Sequence, residues 1–357
     1  MHWADHTAQT LQDRGGPQVI ASGITPSGEF HVGHLREILT AEMIHRACLD
    51  AGMDSRYIFI VDSMDPLRRV YDDFLKPSYE KYIGHPLAYI PAPDVNGEPD
   101  PESSKTYAEY YLEPFLGALE EIGVKPDEIV MNHRTYEKGE FEDQIHSAIE
   151  HRDEIRRVIE EVSGREMPED WFPYNPRGDD GSLDGVRVTG YERPYVYWVD
   201  GGGVEGKSDI RTNQGKLPWR VDWAAKWCFH EITCEPAGKD HGAAGGSYDT
   251  GIPICEILGG KPPQKLVYEW IQLKGMGPMS SSTGLTVGPM DALSLVPPEI
   301  MRYVIARSKV GRHIDFDTGP ALFQTADEYE RLVAEPPGGS DEELSRRQQI
   351  ARDTQVG

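Results

Sequence analysis

No run of apolar residues in this chain is long enough to cross a bilayer, and its opening Met-His-Trp-Ala-Asp-His lacks the basic start and apolar stretch of a secretion signal. Membrane-spanning and secreted proteins are set aside on that ground, and a cytoplasmic location is expected. Cysteine is scarce. Cys48, Cys228, Cys234 and Cys255 show no Cys-x-x-Cys spacing, which argues against a disulfide framework and leaves reduced, mostly buried thiols. Basic charge is in deficit: 36 Lys and Arg stand against 60 Asp and Glu, a formal net charge of -24. A net acidic field repels phosphate and argues against indiscriminate nucleic-acid binding, while RNA contact through a local basic patch stays open.

What the chain does have is length and one dense motif. Its 357 residues suffice for two domains or one large domain with an insertion. Ala21–His34 reads Ala-Ser-Gly-Ile-Thr-Pro-Ser-Gly-Glu-Phe-His-Val-Gly-His. Val19 and Ile20 lead into the turn Thr25-Pro-Ser-Gly28. A helix is expected from near Phe30, with Leu35, Ile38, Leu39, Met43, Ile44 and Ala47 on its buried face. A strand ending in such a turn at a helix N-terminus aims free N–H groups at one point, an anion site most often used for phosphate. His31 and His34, one turn apart, can donate to phosphate oxygens, and Gly33 has no side chain to block a nucleotide ring. The His-x-Gly-His spacing alone fits a pair of surface histidines or half a metal site as well. The turn upstream favours nucleotide.

Farther along, Ser55–Asp62 reads as a second buried parallel strand that completes a βαβ unit. Asp65, Arg68 and Arg69 follow it, either as a solvated turn or as part of a substrate wall. Tyr82–Pro91 is too irregular for a core strand. Thr106–Ile122 has helical spacing closed by Gly123, with Pro114 expected to interrupt it, and Glu140–Val162 is a second long amphipathic pattern. Trp171–Gly215, rich in Gly, Asp, Tyr and Arg, reads as a small β-rich insertion between two halves of a nucleotide-binding fold. Within it, Gly201-Gly-Gly-Val-Glu-Gly206 matches a dinucleotide fingerprint only formally, since no helical pattern follows. Trp219, Trp223 and Trp227 recur every four residues as a packing stripe, of which Trp219 is placed at a ligand. In Glu235-Pro-Ala-Gly-Lys-Asp-His-Gly242, Gly238 permits close backbone approach and His241 can line a pocket. Asp240 can bind a ribose hydroxyl or merely cap a loop. Val267–Leu273 is a strand candidate running into a Gly/Ser loop, a helix starts at Pro297, and Glu335–Gly357 has the composition of a linker.

Five blocks in order, Ala21–His34, Lys216–Trp223, Glu235–Gly251, Tyr268–Trp270 and Met279–Gly284, resemble the class I lysyl-tRNA synthetases, over a stretch from Trp3 to Tyr329. The resemblance implies an α/β fold: a class I synthetase Rossmann-type nucleotide-binding domain with a small β-rich insertion and the start of a helical domain. The expected divisions are 1–139 and 217–295 for the halves of the catalytic domain, 140–216 for an insertion resembling a degenerate zinc ribbon, and 296–357 for the start of a stem-contact region and its tail. The implied substrates are lysine, ATP with Mg²⁺, and the acceptor end of tRNA(Lys), acted on by a monomer with no membrane partner. Gly23, Thr25, Trp219, His241 and Tyr268 would shape the lysine pocket. Thr25, Ser27, Gly28, His31, Gly33, His34, Gly238, Asp240, Met279 and Ser280 would contact ATP. His31, His34, Lys274, Ser281 and Ser282 would serve catalysis.

Three departures qualify the resemblance. The family's mobile loop reads Pro278-Met-Ser-Ser-Ser-Thr283, so both lysine positions are empty and Thr283 offers a neutral hydroxyl where a cation usually steadies the leaving pyrophosphate. Lys274 is the nearby substitute. The paired cysteines that bind zinc in the family's insertion are replaced around Tyr174–Gly178 and Tyr197–Gly202, so no zinc is expected. The chain also ends near the stem-contact region, with no room for an anticodon-binding domain. These losses leave open a paralogue that activates lysine without charging intact tRNA, and a non-catalytic module that binds lysine or nucleotide. A small cytidylyltransferase shares His-x-Gly-His but is disfavoured, because residues 281–286 lack the arginine such enzymes keep there.

Overall fold

Two strands buried on both faces set the architecture. A computed structural model describes residues 2–273, 277–278, 287–317, 319–335 and 346–356. In β1 (Gln18–Ile24), which follows α1 (Trp3–Arg14), Ile20 and Ile24 enter one apolar cluster while Val19 and Ala21 enter another. After α2 (Gly33–Asp50), β2 (Ser55–Val61) divides likewise, with Tyr57, Phe59 and Val61 on one face and Ile58 and Ile60 on the other. Period-two alternation with both faces apolar is what a parallel sheet covered by helices on both sides requires. β1 and β2 pair in parallel from Gln18–Ser55 to Ile24–Val61.

The chain continues through α3 (Lys76–Tyr79) and α4 (Tyr107–Glu121) to β3 (Glu128–Met131), then α5 (Asn132–Glu137), α6 (Glu142–Glu150) and α7 (Arg152–Ser163). Short antiparallel strands follow: β4 (Asn175–Pro176), β5 (Val186–Glu192), β6 (Tyr195–Asp200), β7 (Glu205–Asp209) and β8 (Gly215–Lys216), with β5-β6-β7 and β4-β8 as separate small sheets. α8 (Trp219–Phe229), β9 (Cys234–Gly238), α9 (Lys239–Gly242), α10 (Ser247–Ile257) and β10 (Gln264–Tyr268) complete a parallel sheet of order β10-β9-β1-β2-β3. Strand order reverses between β1 and β9, so a crevice opens at their C-terminal ends, where doubly wound sheets bind ligands. Beyond it lie β11 (Ile271–Leu273), β12 (Gly277–Pro278), α11 (Pro289–Leu295), α12 (Pro298–Arg307), β13 (Ile314–Phe316), α13 (Pro320–Ala334) and α14 (Arg346–Asp353). Among the described residues no helix is long and apolar enough to cross a membrane.

Several sequence expectations give way to tertiary packing. α2 begins at Gly33 rather than near Phe30, because Phe30 packs on Phe115 and the Val32 amide donates to the Val287 carbonyl at 2.9 Å. α4 runs unbroken through Pro114: its missing amide deprives only the carbonyl of Tyr110, an outward residue, while Tyr111, Leu112, Phe115 and Ala118 hold the other face. The 140–162 pattern divides into α6 and α7 at His151. The strand expected over 267–273 breaks at Glu269, whose amide turns to Val310, and Ile271 starts a separate sheet. The linker-like end contains α14, which buries Ala351 completely. Lys274, Met279, Ser280, Ser281, Ser282 and Thr283 lie outside the described residues.

α2 is tied to the helices of the last third by a buried charge pair. Both Glu42 oxygens accept from Arg302 Nη2, at 3.1 and 3.0 Å, with Arg302 only 1% exposed. Arg302→Met leaves Glu42 only the half-exposed Arg46 one turn along α2 and is expected to cost about 3 kcal/mol in urea unfolding, the low end for a broken buried pair, whereas Glu42→Leu added to it restores most of the loss. A single-variant cost within the ~0–1 kcal/mol of a surface pair would contradict this.

Candidate active site

Two cavities of about 340 and 420 Å³ open side by side at the reversal point, and His34, Glu37, Gly238 and His241 line both. The three elements that build this wall are the start of α2, the end of β9 and the start of α8. At the first, His31 and His34 stack with ring centroids 4.1 Å apart. The amides at this helix start do not all stay open for an anion. Gly33 N–H donates to His31 Nδ1 and His31 N–H to His34 Nδ1, each at 3.1 Å. The first of these bonds puts the His31 proton on Nε2, so an imidazole N–H replaces an amide as the donor offered outward. A Cβ at Gly33 would sit 2.7 Å from His31 Nδ1. The glycine is thus needed first to let that ring fold back. Burial pushes His31 down to about 4; burial and the neighbouring His31 push His34 down to about 3. Both rings are neutral at physiological pH.

The smaller cavity is walled by carboxylates. Glu37 accepts the Gly23 amide at 2.9 Å on one oxygen and the Tyr268 hydroxyl at 3.1 Å on the other. Burial, together with Glu235 and Asp62 nearby, pushes it up to about 8 against those two hydrogen bonds. Glu235 accepts from the Trp227 indole at 2.6 Å and is likewise raised by burial. Lys226, paired with Asp62, is the lone Lys or Arg among the described residues that line the cavity. Behind it, Asp222 is fully buried; burial pushes its carboxyl up, but the ammonium groups of Lys216 and Lys226 outweigh this and leave it below the usual range. Tyr136 and Asn132 donate to Asp222, and Lys216 reaches on to Asp65. Three carboxylates share two ammonium groups. Burial, opposed by Lys226 and reinforced by Asp65 and Asp222, pushes Asp62 up to about 7. Trp219, Trp223 and His241 close the remaining side, with Trp219 5.1 Å from His241 and 5.3 Å from Trp223.

The larger cavity is lined by His31, Gly33, Asp240, Tyr268, Trp270 and Ile271 besides the shared residues. Among these described lining residues there is no Lys or Arg. Asp240 accepts from the Trp270 indole at 2.9 Å.

Gly23, Thr25, His31, Gly33, His34, Trp219, Gly238, Asp240, His241 and Tyr268 therefore all meet at one crevice. Ser27 and Gly28 do not line either cavity: the Ser27 carbonyl accepts from Tyr107, and Gly28 packs on Tyr71. Asp65 is interior, whereas Arg68 is an exposed partner of Asp184 at 2.9 Å. Sequence reasoning missed Glu37, Asp62, Glu235, Lys226 and Trp270 as lining residues. Two of them carry a signal. Glu37 follows His34 by three, on the same helix face, and Glu235 is a charge inside an otherwise apolar strand.

The sheet order and the paired histidines define a catalytic domain of the class I aminoacyl-tRNA synthetase type. The fold is shared with a solved methionyl-tRNA synthetase of Mycobacterium tuberculosis, bound by methionyl-adenylate, at a TM-score of 0.50 and 14% identity over 91% of this chain and 74% of that one. The particular family is shown by sequence: the chain belongs to the lysine group, since the family described as tRNA synthetases class I (K) matches residues 1–356. It is 45% identical to the lysine--tRNA ligase of Picrophilus torridus over 333 residues, 93% of this chain and 64% of that protein. It is 45% identical to lysine--tRNA ligase 1 of Methanosarcina acetivorans, over 93% and 61%, and to the lysine--tRNA ligase of Archaeoglobus fulgidus, over 94% and 66%. The chain spans under two thirds of the length of each of these relatives.

The neutral state of the two rings is open to measurement. Nitrogen chemical shifts of His31 and His34 in the free protein are expected to stay those of neutral imidazole from pH 8 down to about 5. Titration of either near the ordinary 6.5 would contradict the packed arrangement.

Proposed function

We propose that the chain activates lysine with ATP and passes it to the acceptor end of tRNA(Lys), the activity named for its curated relatives. The observation that carries this reading is Glu37, a half-buried carboxylate standing where the two cavities meet. Its oxygens each hold one donor already and keep lone pairs for a third, so an ammonium group can be seated there without displacing Gly23 or Tyr268. Glu37, Asp62 and Glu235 outnumber Lys226 around the smaller cavity, which suits the lysine ε-ammonium and the α-ammonium alike.

In the first step a lysine carboxylate oxygen bonds to the α-phosphorus of ATP, the bond to the bridging oxygen breaks, and pyrophosphate departs with that electron pair. The imidazoles of His31 and His34 donate to phosphate oxygens as charge builds on them, and such fixed donors are worth most where water is excluded. Asp240 takes a ribose hydroxyl. A 3′-terminal ribose hydroxyl of tRNA then attacks the acyl carbon and AMP leaves. Mg²⁺ enters with the triphosphate as part of the substrate; the described residues contain no cluster of three metal-ligating side chains, and the phosphates and water supply its oxygens.

The insertion is read as zinc-free. Two aromatic side chains are packed within it at separate places: Trp198, 4% exposed, donates to Ser208 at 3.0 Å and lies so close over Gly206 that a Cβ there would meet its ring at 2.2 Å, while Tyr174 covers Gly215. A monomer in the cytoplasm completes the proposal; the four free cysteines suit a reducing compartment.

Lysine-dependent exchange of labelled pyrophosphate into ATP tests the reading, and its absence would sink it. Glu37→Gln is expected to raise the KM for lysine roughly 10- to 100-fold, the worth of one hydrogen bond to a charged group, with kcat little changed. Only deprotonated Glu37 pairs with an ammonium. Lysine affinity therefore rises as pH climbs toward about 8 and levels above it, and Glu37→Gln removes that upper part of the rise. Asp62 and Glu235, facing the same cavity, spread the remainder to lower pH. A flat wild-type profile would contradict the assignment of Glu37.

A further inference from the structure

We propose that Trp270 is a positioning residue that fixes Asp240 on the ribose of bound ATP and so makes the site select nucleotides carrying the ribose hydroxyl that Asp240 contacts. The inference rests on the nucleotide reading given above and adds a residue to it. Asp240 is an exposed aspartate on the four-residue helix α9, a place where a carboxylate would ordinarily sweep through several rotamers. It does not serve as a cap: among the described residues its carboxylate receives no backbone N–H. Its one side-chain hydrogen bond there comes from the Trp270 indole to Oδ2, at 2.9 Å, which leaves Oδ1 to accept from a sugar hydroxyl.

The indole itself is held from two directions. Lys239 Nζ lies 4.1 Å from the ring centroid and is pinned by Glu269 at 2.8 Å. The Trp270 carbonyl accepts from Ile314 and the Glu269 amide donates to Val310, at 2.9 and 3.0 Å. That segment is clamped in turn by Arg36, 2% exposed, whose Nη2 donates to the carbonyls of Lys309, Val310 and Arg312 at 3.3, 3.1 and 3.1 Å. Arg36 sits two residues after His34 on α2. The helix that presents the phosphate donor therefore also fixes the shelf from which the ribose acceptor is aimed. Fixed geometry of this kind turns a floppy acceptor into a selective one.

Calorimetric titration with ATP, 2′-deoxy-ATP and 3′-deoxy-ATP tests the proposal on the whole chain without requiring turnover. Trp270→Phe keeps the ring over which Lys239 lies and removes only the N–H. It is expected to weaken ATP roughly 3- to 10-fold, the scale of one net hydrogen bond, and to leave the analogue lacking the contacted hydroxyl unchanged, so that discrimination shrinks. Asp240→Ala should abolish the discrimination, and adding Trp270→Phe to it should change nothing further. Unchanged discrimination in Trp270→Phe, or equal weakening of all three nucleotides, overturns the role of Trp270 while ATP binding to the wild type stands. Failure of the wild type to bind ATP overturns both readings.

Discussion

The ion cluster around Asp222 is the constraint on which the crevice depends. It draws one member from α8 itself, Lys226, one from β8, Lys216, and two from the turn after β2, Asp62 and Asp65. Asn132 and Tyr136 of α5 complete it. Segments from residue 62 to residue 226 are thus locked by groups that cannot separate without stranding a buried charge, a loss of about 3–5 kcal/mol for one broken partner. The same cluster sets the field of the cavity. Two ammonium groups face three carboxylates, an excess that helps push Asp62 up to about 7, and Lys226 is already engaged when Glu37 and Glu235 are added to the wall. What remains is a buried, acidic pocket in want of a cation.

Helix α2 couples that pocket to the larger cavity, where the proposal seats the nucleotide. His34, Arg36 and Glu37 fall within one turn and do three different things: His34 stacks with His31 as the proposed phosphate donor, Arg36 clamps the 309–312 segment, and Glu37 is a carboxylate shared by both cavities. Because all three ride on one buried helix, their spacing is fixed by 1.5 Å of rise per residue rather than by loop conformation. The aromatic side of the crevice is equally stiff, with Trp219, Trp223 and Trp227 stacked along α8 and Trp227 anchored on Glu235. In the proposed reaction both substrates meet polar groups that are already in place.

Much of this was legible in the residues. The turn at Thr25–Gly28, the paired histidines and the Glu235–Gly242 block marked the crevice, because glycines and polar side chains at strand ends have few other uses. What sequence reasoning did not reach are contacts between distant segments. Local spacing cannot say that Asp62 meets Lys226 or that Trp270 meets Asp240. Nor could it say that the amides of His31 and Gly33 are spent on the two imidazoles. Helix boundaries failed for the same reason: Pro114 reads as a breaker until the buried face around Phe115 is known to hold the helix together, and the polar residues around Ile350 and Ala351 read as linker until their docking is seen. In the insertion, the missing cysteines were visible at once, but the packing of Trp198 on Gly206 in their stead was not.

The central claim is that the acidic cavity recognises a side-chain ammonium group. Direct titration of the chain with L-lysine and with L-norleucine, which has the same carbon chain but no terminal amine, tests it without nucleotide or tRNA. Lysine is expected to bind roughly 10- to 100-fold tighter at pH 8, as one charged hydrogen bond warrants. Equal affinity for the two amino acids, or tighter binding of norleucine, would contradict it.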